Sequence, residues 1–149
     1  MHRLKTILTA LFLALVPVLA QGAEDTRQLV KMPEMMQNHM LENMRSHLLA
    51  LDEVLGLLAK GKVNEAGWVA EKKIGLSSLD LHGSSHLAPY MPDGMKAAGT
   101  EMHRAASRFA RAAEEADFAH TYEAQQKVFD ALQGITQNCN ACHTAYRLR

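Results

Sequence analysis

"FDALQGITQNCNACHTAY", residues 129–146, decides how the chain is read. Phe129, Leu132, Ile135, Cys139, Cys142 and Tyr146 recur at three- and four-residue steps, the spacing of one helix face. The only two cysteines of the 149 residues fall on that stripe, so they face inward, and His143 follows directly behind them.

Working back towards the N-terminus, the same period returns three more times, and no β pattern appears. Leu41, Met44, Leu48, Leu51, Leu55 and Leu58 line a helix that opens at Pro33 and Glu34 and stops at Gly61. Asn64 caps a second helix that carries Trp68 and Val69 to between Ile74 and Leu79. Residues 83–92 form a connector rich in Gly, Ser, Pro and His. A third helix starts near Pro92 and Asp93, with Met95, Ala98, Met102, Ala105, Phe109 and Ala112 on its buried stripe. A break near Asp117 precedes the last helix, which begins with Phe118 and Tyr122. The expected fold is all-α, an antiparallel up-down-up-down four-helix bundle over residues 21–149.

Residues 1–20 read differently. Arg3 and Lys5 precede an apolar run from Ile7 to Leu19, and Val18-Leu19-Ala20 offers a cleavage site. That order of parts is a secretory signal peptide, too short for a comfortable membrane span, and it directs the mature chain from Gln21 to the periplasm. The chain holds 16 basic and 16 acidic residues, and loss of Arg3 and Lys5 leaves 14 against 16. Nothing in that balance supports nucleic-acid binding. Export favours oxidised thiols, so a plain disulfide between Cys139 and Cys142 stays open.

Cys-x-x-Cys-His has a more specific use. Two thiols at this spacing match the two vinyl groups of a haem, and the adjacent imidazole binds its iron from the same side. A zinc site needs about four protein ligands and there is no second cysteine pair, which leaves His82, His86 or His103 as further donors. A thioredoxin-type dithiol expects a βαβ context and a helix start that lowers the thiol pKa. Haem c with iron is the favoured cofactor, held at Cys139, Cys142 and His143; zinc and the disulfide remain as alternatives. In the expected bundle the end of the last helix shares a pole with the start of the first, the connector and the start of the third. There lie Met35, Met36, His39, Met40, Met44, His82, His86, Tyr90, Met91 and Met95, among which a second axial ligand is sought.

"CNACHTAYR" (139–147), "PEMMQNHMLENM" (33–44), "LLAKGK" (57–62) and "PDGM" (92–95) together resemble the class II c-type cytochromes, the cytochrome c prime proteins and their low-spin, methionine-ligated relatives. The likeness spans the whole expected mature chain. It implies His143 as proximal iron ligand, Arg147 as a basic group beside that imidazole, and Met44 as distal ligand, with Met40 as the alternative. The sequence departs from the pattern in a first helix about one turn longer, in Met40 where a basic residue is usual, and in the connector "LHGSSHLAPYMP".

Three functions follow. A mono-haem electron carrier with His143/Met44 ligation exchanges single electrons with periplasmic redox partner proteins. A five-coordinate relative binds NO or CO. A haem-free bundle handles copper through the thioethers and imidazole of "MPEMMQNHM". None is an enzyme: no paired carboxylates, Ser/His/Asp set or phosphate loop is present. Membrane binding after signal cleavage is not expected, and the chain is a monomer or a homodimer through an apolar face that includes Trp68. His47 and His103 read as ordinary helix residues, whereas His82 and His86, four apart, suit a metal if their stretch is helical.

Overall fold

A computed structural model describes residues 24–149, so the expected signal segment lies outside the described residues. They form five helices: α1 (Glu34–Leu58), α2 (Val63–Lys73), the single turn α3 (Ser84–Leu87), α4 (Asp93–Ala119) and α5 (Tyr122–Ala145). The fold is all-helical, consistent with a helical bundle. No helix among the described residues is long and apolar enough to cross a membrane.

Local chemistry sets the boundaries. Pro33 is the residue preceding α1, where its missing N–H costs nothing. Gly61 sits at φ +72°, and the N–H groups of Gly61 and Lys62 reach back to the carbonyls of Leu58 and Leu57, each at 3.0 Å. That paired closure needs a left-handed residue, which glycine supplies without a Cβ clash. The chain leaves it straight into α2, so the helix starts at Val63 and Asn64 is inside it rather than capping it. α4 runs past Asp117 to Ala119 and ends at left-handed His120; Thr121 then caps α5, its Oγ1 accepting from Ala124 N at 3.1 Å. Phe118 therefore ends α4 instead of opening the last helix, and it is 90% exposed.

The helices pack in chain order, α1 on α2, α2 on α4 and α4 on α5. α2 approaches α4 closely at Gly67, where an added Cβ would fall 2.8 Å from Ala113 Cβ. The main core joins Ala50 and Val54 of α1, Ala66, Val69 and Ala70 of α2, Ala105, Phe109 and Ala113 of α4, and Val128, Leu132 and Ile135 of α5.

α1 is rotated from the expected stripe. Its buried residues are Met40, Asn43, His47, Ala50 and Val54, while Leu48 and Leu49 lie on the surface. Two polar side chains thus take core positions that the leucine stripe was expected to hold. At the far end, Tyr146 leaves the helix and turns extended. Tyr146–Arg147 pair in parallel with Gln28–Leu29, and Val30 N donates to Arg147 O at 2.8 Å. This two-residue ladder fastens the segment before α1 to the residues after α5.

Candidate functional site

A second apolar cluster, separate from the main core, collects around the end of α5. It contains Val30, Met32 and Met40, Leu87 of α3 and Met95 of α4. Met36, Met44, Met91, Cys142, Tyr146 and Leu148 pack against it. Gly94, in the first turn of α4, makes room for the Tyr146 hydroxyl, which would lie 2.3 Å from a Cβ there. Six methionines therefore gather with the second cysteine where the segment before α1, the start of α1, the connector, the start of α4 and the end of α5 converge.

Each expected site residue has a definite place. Cys139 is half-buried against the main core and Cys142 half-buried against the methionine cluster. Both thiols are free. Burial pushes both up from the ordinary thiol pKa, and Cys139 adds to the effect on Cys142. A reactive dithiol requires the opposite shift. His143 is exposed in the last turn of α5, with its carbonyl accepting from Arg27 Nη1 at 3.2 Å. Met40 is buried and Met44 half-buried one turn on. Arg147 lies in the extended segment and turns to Asp25, its Nε 3.6 Å from Oδ2 and without a hydrogen bond among the described residues. Its position one helical turn past His143 is lost because the helix ends at Ala145.

Met35, His86 and Tyr90 are exposed and stay outside the cluster. An open groove of about 580 Å³ lies over the first turns of α1, lined by Glu34, Met35, Met36, Asn38, His39 and Glu42. A second groove lies by the end of α4. Neither groove is bordered by Cys139 or Cys142; donor chemistry, not cavity shape, marks the site.

No protein-family model, curated protein or solved structure matches the chain.

The sequence reading missed a separate constellation. His82 does not pair with His86; it meets His47 of α1 and His103 of α4. The signal was available once the α1 stripe is taken as Met40, Asn43, His47, Ala50 and Val54, because a histidine on a core stripe must find partners inside. His47 is pulled down to about 3, chiefly by burial and then by His82 and His103. Burial also lowers His82 and His103.

A pH effect follows. Above pH 6.5 these imidazoles are neutral in both folded and unfolded chains and contribute no pH dependence. Between 6.5 and about 3 the unfolded chain binds protons that folded His47 refuses, so stability falls as pH falls. Asp25, Glu71 and Asp93 are held below ordinary carboxylate values by their hydrogen-bonding and cationic partners, so they add to the loss in the same direction once pH falls to the ordinary carboxylate values of 3.8 and 4.5. Chelator-treated protein is expected to lose a few kcal/mol between pH 7 and 4.5, read from urea midpoints; a flat profile there contradicts the buried, neutral cluster.

Proposed function

We propose that the chain is a periplasmic mono-haem c-type cytochrome that transfers single electrons, its helices arranged as an antiparallel up-down-up-down bundle with the haem at the α5 end. The observation that carries the reading is the apolar cluster that gathers Cys142, directly before His143 in the chain, with Met32, Met36, Met40, Met44, Met91 and Met95. The donor set fits: two thiols one helical turn apart, an imidazole next to them, and thioethers across the cluster.

Cys139 and Cys142 would hold the group by thioether bonds, and His143 would bind the iron as proximal ligand. Met44 would be the distal ligand, with the buried Met40 packing beneath it. The group, when bound, supplies a one-electron iron couple. The chain's own residues tune it. Thioether ligation and an apolar methionine surround both favour the reduced, less charged iron and raise the potential. Val30, Met32, Leu87 and Tyr146 keep water from that end. Arg27, whose side chain reaches the His143 carbonyl, fixes the last turn of α5.

Optical spectra of the exported protein, oxidised and reduced, with and without CO, test this. Low-spin spectra and no rapid CO binding are expected. A five-coordinate ferrous spectrum with rapid CO binding would replace the electron-transfer reading with the NO- or CO-binding one. Met44→Ala is expected to abolish the low-spin spectrum while Met40→Ala keeps it. The reverse result would move the distal ligand one turn towards the start of α1.

A further inference from the structure

We propose that His47, His82 and His103 form a second metal site, separate from the cysteine end of the molecule, which takes one borderline divalent transition-metal ion such as Zn²⁺. The three imidazoles come from three elements: α1, the connector before α3, and α4. One ligand nitrogen from each lies within 4.8 Å of the other two. His47 Nε2 and His82 Nδ1 stand 3.3 Å apart. Two nitrogens bound at about 2.0–2.1 Å to a tetrahedral ion are about 3.3–3.4 Å apart, so this pair already has the required separation. The third nitrogen needs to move by no more than about 1.5 Å, within reach of side-chain rotation.

The surroundings orient the donors. His103 Nδ1 donates to the Ile74 carbonyl at 2.5 Å, which fixes the tautomer with its lone pair on Nε2. Asn43, one turn before His47, donates to the His82 carbonyl at 2.8 Å and holds the connector over α1. Ser78 Oγ stands 3.4 Å from His82 Nδ1. His47 and His103 are each 8% exposed, and His47 Nδ1 has no hydrogen-bond partner among the described residues. Burial keeps the imidazoles neutral, the form that binds metal.

The donor set also selects. Three nitrogens and no carboxylate suit Zn²⁺, Cu²⁺ or Ni²⁺, whereas Mg²⁺ and Ca²⁺ require oxygen ligands. Three protein ligands leave the fourth position to a non-protein ligand. The Glu71 carboxylate accepts from the hydroxyl of Ser107, one turn after His103 on α4, and is engaged there. A bound ion would tie the connector to α1 and α4 together.

The test uses the exported, full-length protein, stripped with chelator and dialysed against Zn²⁺ in excess Mg²⁺. About one zinc per chain is expected by elemental analysis, with a zinc-edge X-ray absorption spectrum of imidazole nitrogens and no sulfur. Saturating zinc is expected to raise Tm by about 5–10 °C. His82→Ala removes a half-buried side chain and is expected to weaken zinc binding by at least about 100-fold with an unchanged helical spectrum, whereas His39→Ala and His86→Ala bind as before. Zinc that is not retained, sulfur in its coordination shell, or binding unaltered in folded His82→Ala overturns the site. Should His82→Ala fail to fold, the absorption spectrum of the unaltered protein decides alone. None of these readouts uses the haem bands, so a failure here and a failure of the cytochrome reading are distinguishable.

Discussion

Protein carrying both Cys139→Ala and Cys142→Ala is expected to emerge colourless and at bare polypeptide mass, while the unaltered protein keeps the mass of one haem after denaturation. The difference is all-or-none because thioether bonds survive unfolding, whereas iron–ligand bonds do not. The same measurement separates the competing uses of the two thiols. A zinc ion would be lost on denaturation, and a disulfide would add no mass. His143→Ala should behave differently from the cysteine pair: it keeps the covalent group and changes the spectrum, since the imidazole binds iron but does not attach the porphyrin. Colourless wild-type protein, correctly exported and matured, would end the cytochrome reading. It would leave the histidine site untouched, because His47, His82 and His103 are drawn from a different part of the fold.

The second large effect concerns stability. Phe109→Ala is expected to cost about 3–5 kcal/mol, a large share of the roughly 5–15 kcal/mol that holds a domain folded. Phe109 is fully buried where α4 packs between α2 and α5, among Ala66, Ala70, Ala113 and Val128. The cost combines the lost burial of the ring with the cavity that the surrounding helices leave open. Urea unfolding followed by far-UV circular dichroism measures it. Phe118→Ala, nine residues on in the same helix but exposed, is the matched control and should change stability by under about 0.5 kcal/mol. Equal costs at the two positions would mean that α4 is rotated from the orientation described.

These two phenylalanines also show how far the sequence could be read. Both are apolar and near helical spacing, and composition does not separate them. Helix ends were legible because Pro33, Gly61 and Pro92 each impose a local backbone geometry that needs no tertiary partner. The break at Asp117 was not: acidic residues are tolerated near a helix end, and the helix closes only where His120 adopts the left-handed conformation. The rotation of α1 was harder still. Leu41, Leu48, Leu49, Leu51, Leu55, Leu57 and Leu58 fall on more than one face, so several stripes satisfy the same period. The choice is made by α2, which packs onto Ala50 and Val54 where small side chains permit close approach. Cys139, Cys142 and His143 could be singled out because their chemistry is written in five consecutive residues. The histidine triad could not, since His47, His82 and His103 are brought together only by the folded chain.

The ladder between residues 28–29 and 146–147 joins positions that emerge from the ribosome at opposite times. The earlier strand waits, without its partner, until residues 146–147 have been synthesised. Until then the last turn of α5, which carries Cys142 and His143, lacks the clasp that the ladder provides. Closing the latch is thus a late event of folding, and it ties the segment before α1 to the segment after α5.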